Sequence, residues 1–206
     1  MIYLYGDSHA NKGFQHLPVP FHNRHCSSIT MFRIGRDNMI INHNPQEVTE
    51  KDTVLLVYGE VDCRCHIQRQ IDAGREEDDV ICELIANYFR TIRNNIHPQA
   101  KVVIVSIIPP TKQNEYESLH GPITHAFPFV GTDEARTRYT KKMNYLLEQN
   151  AKQNGYYFFS PYAQCTNSDG TLCFEMSDTC CHLKDATLLL EQFVKFVKIN
   201  CLLLSL

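Results

Sequence analysis

The sequence predicts an α/β fold on a mostly parallel sheet of about five strands, and three stretches predict it. Residues 54–58 (VLLVY) and 101–108 (KVVIVSII) are continuous apolar runs, the pattern of strands buried on both faces. Between them, Val80, Ile81, Leu84, Ile85, Tyr88, Phe89, Ile92 and Ile96 recur at three- and four-residue steps, with acids at the start and Arg90 and Arg93 near the end. That is one stripe of an amphipathic helix whose charges suit its dipole. Strand, helix, strand is the crossover unit that makes its two strands parallel. The third stretch is the opening Ile2-Tyr3-Leu4-Tyr5, which runs into Gly6-Asp7-Ser8-His9. It reads as a central strand delivering a hydroxyl to the carboxyl edge, where open α/β sheets do chemistry.

Taken in order, Gly6 lets the chain turn sharply after the first strand, and Asp7 hydrogen-bonds the turn and holds it rigid. Residues 9–38, with Pro18, Pro20 and several His and Asn, predict little regular structure beyond a short strand in 27–34 leading to Gly35. The strand at 54–58 ends in Gly59-Glu60-Val61-Asp62, and Pro109-Pro110 stop the one at 101–108. Residues 111–131, with His120, His125, Phe127 and Phe129, read as a long loop on the same edge, of the kind that closes over a substrate. Thr132 caps a helix with Ala135, Tyr139, Met143, Leu146, Leu147 and Ala151 inward, ended by Gly155. A last strand at 156–159 and a turn at Asp169-Gly170 precede a closing helix over about 183–203, with Leu189, Leu190, Phe193 and Val197 inward.

At 206 residues the chain is long enough for one domain, 1–206, with a substantial core. A formal charge of −3 gives no electrostatic drive towards nucleic acid. Nine cysteines, an odd number with adjacent pairs that rarely bond each other, read as reduced thiols, which predicts a cytoplasmic protein. Met1 passes straight into the first strand, with no basic start or cleavage site. The apolar end, residues 201–206, is too short to span a bilayer and reads as the tail of a docked helix, so no membrane partner is expected.

Four motifs stand in order along nearly the whole chain: GDSH at the start, Gly35 in TMFRIGRD, YGEVDCR with SIIPP behind it, and SDTCCHL near the end. Together they resemble the SGNH/GDSL hydrolase family, whose four blocks carry a Ser, a Gly, a Gly-x-Asn-Asp and a closing Asp-His pair. The resemblance implies a flavodoxin-like three-layer α/β/α sandwich and a serine-dependent acyl-ester hydrolase without metal or cofactor. It also implies a small-molecule or carbohydrate ester, such as an O-acetyl sugar, as substrate.

A serine hydroxyl needs a base to take its proton and commonly a carboxylate to orient that base. The resemblance assigns Ser8 as nucleophile and His182 as base, ahead of His9 beside the serine, with Asp178 as the orienting acid. The family spaces that acid three residues before the His; here it is four, and Thr179 holds the usual place. Of the family's oxyanion donors, Ser8 and Gly35 match, but Val61 replaces the Asn, which leaves Arg64 as the neighbour able to donate. Glu60 and Asp62 suit either direct participation or a salt-bridge network supporting Asp7 and the turn. Two other classes remain open: an acyltransferase on the same site, and a silent binding or scaffold protein on the same fold. A zinc site from Cys63-Arg64-Cys65-His66 with Cys180-Cys181-His182 is the rival use of His182, although neither stretch has the two-residue gap common in structural zinc.

Overall fold

The computed structural model describes residues 1–124 and 127–203. Five strands, β1 (Ile2–Gly6), β2 (Phe21–Asn23), β3 (Thr53–Val57), β4 (Lys101–Val105) and β5 (Tyr157–Phe159), form one sheet in the order β2-β1-β3-β4-β5. Every pairing is parallel. Alternation along the strands splits the core in two. Tyr3, Tyr5, Val54, Leu56, Val102 and Ile104 face helices α2 (Met31–Asp37), α4 (Glu77–Asn95) and α6 (Asp133–Gln153). Ile2, Leu4, Leu55, Val57, Val103 and Val105 face α1 (Ser8–Phe14) and α7 (Thr187–Ile199). The result is a three-layer α/β/α sandwich whose strand order reverses at β1 and β3, the place where such sheets hold ligands.

The long helices follow the sequence pattern. α4 begins with Glu77, Asp78 and Asp79 and ends near Arg93, while Thr132 caps α6 through a 3.1 Å bond from the Ala135 N–H. The short elements differ. Residues 9–38, expected to be irregular, hold α1, β2 and α2, and the stretch expected as a strand towards Gly35 is helical. The cause lies outside that stretch: Asp62 accepts the backbone N–H groups of Met31 (2.6 Å) and Phe32 (3.1 Å), and Thr30 accepts that of Arg33. Two caps thus outweigh the strand preference of β-branched and aromatic residues.

The expected long loop at 111–131 contains α5 (Gln113–His120); His125, included in that expectation, lies outside the described residues. After β3 the chain turns into a π-helical stretch, Asp62–His66, and then α3 (Ile67–Asp72). The closing helix starts at Thr187 rather than near 183, because residues 177–183 form a tight hairpin with Ser177 bridged to Leu183. Of the tail, Leu202 is buried and its carbonyl accepts the Thr53 hydroxyl at 2.7 Å, while Leu204, Ser205 and Leu206 lie outside the described residues. Among the described residues no helix is long and apolar enough to cross a membrane. All nine cysteines are free thiols.

Candidate active site

β1 cannot pass into α1 unless residue 6 is glycine. A Cβ there would lie 2.4 Å from both the Ala10 Cβ and the Val57 carbonyl oxygen. Asp7 then caps α1, accepting the His9 N–H at 2.9 Å, and burial pushes its carboxyl up to about 6 against the pull of His9. Ser8 is the first residue of the helix, so its own N–H has no partner within it.

The hydroxyl of Ser8 lies 2.8 Å from His182 Nε2, across 174 residues of chain. On the other side of the ring, His182 Nδ1 lies 3.1 Å from Asp178 Oδ2. A carboxylate can only accept, so the proton sits on Nδ1, which leaves the Nε2 lone pair facing the serine O–H.

The four-residue spacing is absorbed by Thr179, whose φ of 66° puts it in the left-handed region. Around it, the Asp178 N–H donates to the His182 carbonyl at 2.8 Å. The N–H groups of Cys180 (3.0 Å) and His182 (3.2 Å) donate to Asp178 Oδ1. His120 Nε2 reaches the Thr179 carbonyl at 2.8 Å, which ties α5 to this hairpin.

A second histidine–carboxylate pair stands behind the first. His9, buried, has its ring centroid 4.6 Å from that of His182, and its Nε2 lies 3.4 Å from Glu60 Oε2. Glu60 also holds Arg64, with Nε 2.9 Å from Oε1. Burial alone would raise the Glu60 carboxyl, yet Arg64 and His9 outweigh it and hold it at about 2. Burial likewise opposes the His9 cation, but Glu60 and Asp7 raise its pKa overall.

Other residues singled out from the sequence have structural positions. Gly35 is a correction: it lies inside α2, where helical geometry commits its N–H to the Met31 carbonyl. A Cβ there would come 2.8 Å from the Asn87 Cβ, so the glycine lets α2 pack on α4 rather than supplying an oxyanion donor. Asp62 is spent on the α2 cap, and burial pushes its carboxyl up to about 7 despite those two N–H groups. Val61 is buried, and Arg64 also donates through Nη1 to the Phe127 carbonyl at 3.0 Å. Among the described residues, Cys63, Cys65 and His66 join no cluster of ligand atoms, which separates the two halves of the zinc alternative. Sequence reasoning missed the contact between the His9 and His182 rings, for which no local pattern exists; Cys181, named in the zinc alternative, has its Sγ 3.8 Å from His182 Nε2.

No protein-family model matches the chain, and no curated protein is similar to it in sequence. Solved structures share its fold. A Streptococcus pneumonia protein named for platelet activating factor aligns with TM-score 0.62 and 16% identity over 97% of this chain and 82% of that one. A GDSL-like lipase from Bacteroides thetaiotaomicron aligns with TM-score 0.58 and 14% identity, covering 98% of this chain and 88% of that one. A variant of an acetyl-xylooligosaccharide esterase from Geobacillus Stearmophilus gives 0.54 and 13%, covering 96% and 92%. The chain therefore has the α/β fold of GDSL-type lipases and esterases.

Proposed function

We propose that the protein is a serine-dependent acyl-ester hydrolase in which Ser8 is the nucleophile, His182 the general base and Asp178 the acid that orients it. The observation that carries this reading is the 2.8 Å contact between the Ser8 hydroxyl and His182 Nε2, with Asp178 on the opposite ring nitrogen. Ser8 Oγ attacks the ester carbonyl as its proton passes to His182, and His182 returns that proton to the departing alcohol. Water then attacks the acyl-enzyme, giving its proton to the same nitrogen, and the acid leaves with Ser8 restored.

The Ser8 N–H, unspent at the start of α1, is one donor for the oxyanion. Arg64 is assigned the place left by Val61, since its contacts with Glu60 and Phe127 leave further guanidinium N–H groups. For the acyl group we infer an O-acetyl ester of a carbohydrate, supported by the likeness to the acetyl-xylooligosaccharide esterase. The opposing reading, a silent binding protein on this fold, is favoured by one observation, the buried Val61 where a donor side chain is expected.

A fluorophosphonate probe and p-nitrophenyl acetate separate the two. Expected are a phosphonate adduct on Ser8 and a loss of at least roughly 10³-fold in kcat/KM for Ser8→Ala. Equal turnover by both proteins, or no adduct, would sink the hydrolase.

A further inference from the structure

The same histidine that faces Ser8 also belongs to a cluster that the ester chemistry does not use. The ligand atoms of His9, Cys181 and His182 all lie within 4.8 Å of one another. Tetrahedral zinc, with bonds of about 2.0–2.3 Å, sets neighbouring nitrogen and sulfur ligands roughly 3.3–3.8 Å apart. Cys181 Sγ stands 3.8 Å from His182 Nε2 and 3.9 Å from Nδ1, beside the ring rather than on the Nε2 lone pair, so binding an ion requires the Cys181 side chain to turn towards that lone pair.

We propose that His9, Cys181 and His182 form a binding site for a thiophilic divalent cation, zinc above all, which competes with Ser8 for His182. This rests on the hydrolase reading only for its consequence, inhibition; the ligand set stands without it. Two independent observations support the set. Each imidazole is backed by its own carboxylate, Glu60 Oε2 at 3.4 Å from His9 Nε2 and Asp178 Oδ2 at 3.1 Å from His182 Nδ1, the arrangement that orients metal-binding histidines. His9 and Cys181 are also each only 8% exposed, so the ion would be gripped by side chains that cannot swing into solvent.

A second grouping, Asp178, Cys180 and His182, is comparably compact, but Asp178 already accepts two backbone N–H groups of its own hairpin. On binding, the Cys181 S–H bond is replaced by a sulfur–metal bond and the proton leaves to solvent. The His182 Nε2 lone pair passes to the metal and is lost to the serine. Zinc is thus a reversible block on the nucleophile, not a participant in the reaction.

The test uses the whole chain, first stripped of metal with a chelator. Equilibrium dialysis against zinc is expected to give one tightly held ion. Cobalt is expected to show the near-ultraviolet charge-transfer band of a thiolate ligand. Cys181→Ala abolishes both, and His9→Gln serves as the second variant should that protein fail to fold by circular dichroism. Cys180→Ala and the exposed Cys82→Ala keep both.

Zinc is further expected to slow fluorophosphonate labelling of Ser8 at least tenfold, with chelator restoring it. No stoichiometric ion, or one retained by Cys181→Ala, overturns the proposal while leaving labelling of the metal-free protein intact. An ion bound without effect on labelling also overturns it, because His182 would then not be a ligand. Absence of labelling in the metal-free protein counts instead against the hydrolase, and dialysis and cobalt still decide the ligands.

Discussion

His182 touches three different chemistries at once: the Ser8 hydroxyl, the Asp178 carboxylate and the His9 ring. The proposed role as a base needs the proton to stay on Nδ1, which the acceptor-only Asp178 carboxylate enforces. Asp178→Asn presents an amide that can turn its N–H₂ to the ring and reverse the tautomer, so kcat is expected to fall by about 10³–10⁴-fold in steady-state assays. Unchanged kcat would mean that the hairpin alone orients the ring.

Glu60 is the other pivot at this scale. Its pKa is held at about 2, so its stabilisation is present above the ordinary carboxylate range and is lost as pH falls from about 4.5 towards 2. His9, with a raised pKa, contributes below about 6.5 and loses that contribution as pH climbs through its folded value. Glu60→Gln leaves Arg64 without its buried counter-ion and His9 with Asp7 alone, and is expected to cost about 3–5 kcal/mol, read by urea denaturation. The difference from the parent should be widest between about pH 4.5 and 6.5 and shrink on both sides. Ser8, Asp178 and His182 are legible as a set only through the order of their motifs. Nothing near His9 in the sequence reveals that Glu60, 51 positions on, sits against it.

Among the elements, the hairpin that carries Asp178 and His182 holds a threonine where the backbone asks for glycine. A β-branched residue at positive φ stores on the order of 1–3 kcal/mol of strain. Thr179→Gly is expected to raise stability by about 1 kcal/mol in thermal melts while sparing ester hydrolysis, since the bond from His120 runs mainly to the backbone carbonyl. A loss of stability would show that the hydroxyl contact at 3.2 Å matters more than the strain. Gly35→Ala drives a methyl group against Asn87 and is expected to cost about 1–3 kcal/mol, checked by the same melts.

Legibility at this level tracked length. α4 and α6, of 19 and 21 residues, announce themselves by periodicity, whereas α1 and α2 have only 7 residues each. Two turns give too few positions for a stripe to repeat. α2 also depends on Asp62, 31 positions beyond the Met31 N–H it receives, a cap that no local window contains.

Across the whole molecule, the parallel sheet and its buried strands follow from apolar runs that no solvated face interrupts, which is why the architecture was readable from so little. β2 escaped because it is a three-residue strand at the sheet edge, half in solvent and without that pattern. The candidate site stands at the carboxyl ends of the strands, beyond β1, yet the proposed base, His182, arrives on the last hairpin before α7.

That 174-residue separation between Ser8 and His182 has a consequence in time. Ribosomes add about 5–20 residues per second, so the hydroxyl emerges roughly ten seconds or more ahead of the imidazole it faces. Throughout that interval a nascent chain carries only an ordinary alcohol. The contact between the two comes all at once, when the final stretch closes on a surface laid down first.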